Sequence, residues 1–116
     1  MSGSGGGGLG SSGDVPGPGG FDCAMVSQRT ILNSPDPAVL AGLRVNDVLT
    51  VTLLDRNGRR LLAAVTQDGL TAGSLTLPVL PRLLECMDQG FQYVAIVVEI
   101  TGGRCIVDIR PRARLP

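Results

Sequence analysis

The chain has 116 residues with ten arginines and ten carboxylates, no lysine and no histidine, and its formal net charge is zero. That length supports one domain, and the balanced charge excludes the strong basic excess of a protein that grips a nucleic-acid backbone. The lack of histidine and lysine removes the usual general base, the Ser–Lys pair and the commonest metal ligand.

Residues 1–20 are expected to form a disordered tail, because ten of the twenty are glycine and such a stretch buries too little to offset ordering its backbone. The packed domain is expected over 21–110, followed by a basic tail at 111–116. Residues 21–109 hold seven arginines against nine carboxylates, whereas Arg110, Arg112 and Arg114 cluster at the end. Using arginine alone as the cation fits a GC-rich genome, bacterial in this reading. No apolar run approaches the roughly 20 residues a bilayer requires. No basic region followed by an apolar core opens the chain, so no secretory signal is expected. Cys23, Cys86 and Cys105 are odd in number and widely spaced. They are expected to be reduced, buried core residues of a cytoplasmic protein. Without a fourth ligand they predict no metal site, and no cofactor motif accompanies them.

Phe21–Gln28 alternates loosely and reads as a first strand. Asn33-Ser34-Pro35-Asp36-Pro37 is a turn by its chemistry. The following AVLAGL makes one short helical turn with Asp36 as N-cap and Gly42 as its end. Asn46–Asp55 alternates cleanly as a strand. Asn57-Gly58 then gives a hairpin into a return strand over Arg60–Gln67. Asp68-Gly69 turns the chain into a third segment, Leu70–Leu75, where Gly73 marks a bend or a close backbone approach. Leu77, Leu80, Leu83, Leu84 and Met87 form an apolar helical stripe, which predicts a helix over about 77–89 with Thr76 as N-cap. Gly90 stops it. Phe91–Thr101 and Arg104–Arg110 are strands joined at Gly102-Gly103. The fold class predicted is mainly β (α+β): a small antiparallel β-barrel of about six strands with one inserted α-helix.

No catalytic residues emerge. Asp47, Asp55, Asp68 and Asp88 all fall at element ends, where aspartate makes turns and caps. Gly5–Gly8 has no strand before it, so it is no phosphate loop. Phe91 and Tyr93 share one face of a strand and either pack in the core or, beside Arg104 and Arg110, make a Tyr–Arg patch on which a base could stack. The C-terminal arginines are either a solvated tail or an arm for an acidic partner or nucleic acid.

Two stretches resemble known families. Leu40–Val51 (LAGLRVNDVLTV) is similar to the AGL-x-x-GD-x-I segment of PDZ domains, with Asn46 where that segment has glycine. Asp55–Ile109 resembles the HIRAN domain in Ala63-Ala64-Val65, Asp68-Gly69, Ala72-Gly73-Ser74-Leu75, the helix, Gly90 and the strands from Ala95 to Ile109. Ser74 stands where that family has an aromatic residue. The HIRAN resemblance implies a small barrel that binds single-stranded DNA ends. From the reading of the residues, Tyr93, Arg104, Arg110 and Gly73 are the expected ligand-binding residues. The expected function is therefore a non-catalytic binding or adaptor module. The alternative is a protein-interaction or structural subunit, acting as a homo-oligomer or through a PDZ-like peptide contact, with no membrane involved.

Overall fold

The computed structural model describes residues 22–112. The expected tail at 1–20 and residues 113–116 of the expected C-terminal tail at 111–116 lie outside those residues. The strands are β1 (Gln28–Ile31), β2 (Val48–Arg56), β3 (Arg59–Val65), β4 (Thr71–Leu75), β5 (Tyr93–Thr101) and β6 (Arg104–Pro111). The helices are α1 (Pro37–Leu40) and α2 (Leu80–Asp88). The six strands form one antiparallel sheet in the order β1-β6-β5-β2-β3-β4. It curls into a half-barrel, and the mainly β class read from the sequence holds.

The two edges of the sheet meet just beyond β1. Asn33 and Ser74 exchange both backbone hydrogen bonds at 2.9 Å, and the Asp36 amide donates to the Ala72 carbonyl at 2.9 Å. This contact explains Gly73. A Cβ there would sit 3.1 Å from both the Asn33 carbonyl oxygen and the Leu32 Cβ, so a side chain at this position would make the seam give by a few tenths of an ångström. The curl is helped by a bulge in the β5–β6 ladder between Val97 and Glu99, since an unpaired extra residue bends a strand.

Local chemistry sets most boundaries. Asn57 and Gly58 have φ of 52° and 78°, the left-handed pair that a two-residue hairpin turn needs. Gly102-Gly103 repeats that geometry between β5 and β6. Alternation then assigns the faces. Leu49 and Val51, Leu62 and Ala64, Tyr93, Ala95 and Val97, and Cys105, Val107 and Ile109 all point inward and are buried. From α2, Leu83 and Cys86 close the concave side, with Leu80, Leu84 and Met87 packed against the same core.

Most strands shift by one or two residues at an end, and the larger departures are at the first strand and the helix start. The first strand is not Phe21–Gln28. Cys23–Met25 is a 3-10 turn, because the Asp22 carboxylate accepts the Ala24 amide at 2.9 Å and folds the chain locally. The strand starts only at Gln28. The helix begins at Leu80, not 77, with Val79 as an N-cap that makes no side-chain bond. Pro78 biases Leu77 away from helical backbone, whereas Pro81 sits in the first turn, where its missing N–H costs nothing. The last strand continues through Pro111, and the Arg112 amide still donates to the Gln92 carbonyl at 2.8 Å.

The cysteines differ too. Cys23 and Cys86 form a disulfide across 63 positions of sequence, with Cα atoms 5.6 Å apart, a span suited to that bond. Only Cys105 is the free, buried thiol expected of all three. Burial pushes its pKa up, so it stays a protonated core side chain. Sequence spacing missed the bond because β1 through β4 separate its two halves. Among the described residues no helix is long and apolar enough to cross a membrane.

Candidate functional site

The four ligand-binding residues named from the sequence do not converge. Tyr93 lies on the inner face of β5 and is 1 % exposed. Its hydroxyl donates to the Cys23 carbonyl at 2.7 Å. Burial, with the nearby Asp22 charge adding, raises its pKa. A ring held there offers no face to a base, so the Tyr–Arg stacking patch is not formed. Phe91 is half-buried and also packs on the core. Arg104 is exposed at the tip of the β5–β6 hairpin, opposite Thr101. Arg110 lies near the other end of the same strand, six residues or roughly 20 Å away. Gly73 is buried in the seam.

Arg110 is also already engaged. It stands 3.8 Å from Asp108, which Arg29 grips at 2.8 Å. The Arg29 hydrogen bonds, with the charges of Arg29 and Arg110, hold the Asp108 carboxyl below its ordinary range. A second pair, Arg60–Asp88 at 2.8 Å, ties the β2–β3 hairpin to the end of α2. Both pairs sit at the surface and act as fasteners between elements.

The structure brings together a different set of residues. A groove of about 400 Å³ opens between α1, the start of β2 and the β3–β4 turn. That is the size of a small ligand pocket. Its floor is Val39, Leu43 and Leu49, and its rim carries Val48, Leu70, Asp47 and Asp68. Each wall follows from local sequence. Asp36 caps α1 by accepting the Ala38 amide at 2.9 Å, and Pro37 fills the first turn. Asp47 accepts the Arg44 amide at 2.9 Å, while Asn46 takes a positive φ of 78°. The loop therefore bends sharply into β2. The Asn46 amide to the Val97 carbonyl (2.7 Å) and the Val97 amide to the Asp47 carbonyl (2.9 Å) extend the ladder to the groove's edge. On the far wall, the Thr66 hydroxyl accepts the Leu70 amide at 3.0 Å, and Gln67 donates to the Val48 carbonyl at 3.3 Å.

Val48 and Leu70 are 42 % and 53 % exposed, and neighbouring Val45 is 52 % exposed. Aliphatic side chains are thus left facing water around an apolar floor, with two carboxylates at the lip. An apolar floor beside two carboxylates is chemically suited to an aliphatic group next to a cation and unfavourable to phosphate. A smaller cavity of about 340 Å³ lies against the middle of β2, lined in part by Thr52, Met87, Phe91, Gln92 and Arg112. It is bounded by packing residues of α2 and carries a single cation.

The sequence named the elements that form the groove wall, including the AVLAGL turn, the strand after Asn46 and the turn at Asp68, but not that they face one another. That apposition depends on the seam between Asn33 and Ser74, a contact across 41 positions for which no local signal exists. No family model matches this chain, and neither does any curated protein or solved structure.

Proposed function

We propose that this domain is a non-catalytic binding module. Its groove seats an aliphatic side chain of a partner protein, with a basic residue of that partner lying over Asp47 and Asp68. One observation carries this reading: the groove combines an apolar floor, exposed Val48 and Leu70, and an acidic lip. Charge complementarity favours a basic peptide segment over a nucleic acid, which would bring phosphates to two carboxylates. The notion of single-stranded DNA ends, implied by the HIRAN resemblance, lacks an exposed aromatic ring at Tyr93. A PDZ-like capture of a C-terminal carboxylate meets the same two negative charges.

The test uses a blocked Ala-Arg-Leu-Arg-Ala peptide, its Glu-for-Arg counterpart and a short oligothymidylate, each titrated into the labelled protein. Salt-sensitive amide shifts at Val48, Gln67 and Leu70 with the basic peptide alone are expected, and Leu70→Glu should abolish them. Shifts confined to Arg104 or Arg110 with the oligonucleotide would replace this reading with the DNA one.

A further inference from the structure

The segment from Asp22 to Ser27 leads into β1 and has few holds on the barrel. Val26 is its one buried side chain, and Met25 beside it is 74 % exposed. The Cys23 carbonyl accepts the Tyr93 hydroxyl at 2.7 Å. The remaining tie is covalent, the bond from Cys23 to Cys86 of α2. Ordering six backbones costs entropy at each residue. One side chain and one hydrogen bond compensate for little of that cost, so the disulfide decides whether the segment stays down.

We propose that the Cys23–Cys86 disulfide is a redox latch: reduction by a dithiol frees the Asp22–Ser27 strap from α2 and Tyr93 while the barrel keeps its fold. Cys23 is the accessible partner, being half-buried where Cys86 is 2 % exposed. A thiolate of the reductant attacks the Cys23 Sγ. The Cys23–Cys86 bond breaks and Cys86 leaves as thiolate. The second thiol of the reductant then displaces Cys23 from the mixed disulfide. Two electrons pass from the dithiol, which ends as a disulfide, and each cysteine takes up one proton.

Two features suit the device. Val26 is the only strap residue in the buried core apart from the latch itself, since α2 is anchored separately by Leu83, Leu80, Leu84 and Met87. Cys105 is buried on the inner face of β6, and its raised pKa keeps it protonated and out of thiol exchange. Release would expose the Tyr93 hydroxyl and the Cys86 thiol, giving the reduced form a surface the oxidised form lacks.

Tyr93 is the chain's only tyrosine and there is no tryptophan, so the tyrosine titration reads the surroundings of the one ring whose hydroxyl the strap binds. The full chain is compared with and without dithiothreitol by amide exchange, circular dichroism and a pH titration of tyrosine absorbance. The Cys23→Ser/Cys86→Ser chain serves as a permanently open form. On reduction, exchange across 22–27 should rise by about tenfold or more, with β5 and β6 protection and the sheet signal unchanged. Tyr93 should titrate at lower pH than in the oxidised chain, and the double variant should match the reduced protein. Loss of the sheet signal would make the bond a structural staple. Unchanged exchange across 22–27 would mean the strap holds without it. Either result overturns the latch.

Discussion

Single side chains decide the seam and the surface fasteners. Gly73 is the clearest case, because the closure of the half-barrel runs directly over it. Gly73→Ala places a methyl 3.1 Å from the Asn33 carbonyl oxygen and from the Leu32 Cβ. Backbone lies on one side of that contact, so relief requires the seam to give, at about 1–3 kcal/mol. Chemical denaturation would read this as a lower midpoint, and an unchanged midpoint would show that the seam is slack. Asp108 sets a pH dependence. Its carboxyl is held low by the Arg29 hydrogen bonds and by two positive charges. A depressed folded pKa means the stabilisation is present above the ordinary carboxylate value. It is lost as pH falls through the depressed one. Because Arg29 is 65 % exposed, the effect is small, about 1 kcal/mol or less. Asp108→Asn should remove that part of the acid-side slope, which melts between neutral pH and pH about 3 will detect.

At the scale of elements, the hairpins were legible and the packing was not. Asn57-Gly58 and Gly102-Gly103 carry their turn geometry in the residues themselves, and the alternation in β2, β5 and β6 fixes which side faces inward. The helix was legible from its stripe, but its start was not, because Pro78 keeps Leu77 out of helical backbone while Pro81 is tolerated in the first turn. The first strand failed because Asp22 bends the backbone, a bond that competes with extended structure. The site failed for a different reason. Tyr93 and Arg110 sit on adjacent strands, yet Tyr93 points inward and Arg110 outward. The groove, in turn, is made of α1, the start of β2 and the β3–β4 turn, which only the tertiary fold brings together. The short helix α1 gives this a test. Asp36→Ala removes the cap on the Ala38 amide, and losing such a cap costs about 1 kcal/mol. The groove wall should fray before the barrel does. Peptide binding should therefore weaken by more than the melting temperature falls. Equal binding by wild type and variant would show that α1 does not shape the groove.

For the whole molecule, the disulfide sets the balance between the folded barrel and the unfolded chain. It joins residues 63 positions apart, so breaking it releases most of the domain from one closed loop. Chain-entropy arguments put the stabilisation from closing such a loop at about 4 kcal/mol, a large share of the roughly 5–15 kcal/mol typical of a small domain. Few native contacts depend on the strap, so most of that difference acts through the unfolded state. Two consequences follow together for the reduced chain. Its denaturation midpoint should fall, and its m-value should rise, because the unlinked unfolded chain exposes more surface. A staple acting only through native contacts would lower the midpoint and leave m unchanged. Urea titrations with and without dithiothreitol separate the two cases. If neither quantity moves, the two halves of the chain remain in contact when unfolded, and the bond adds no stability to this fold.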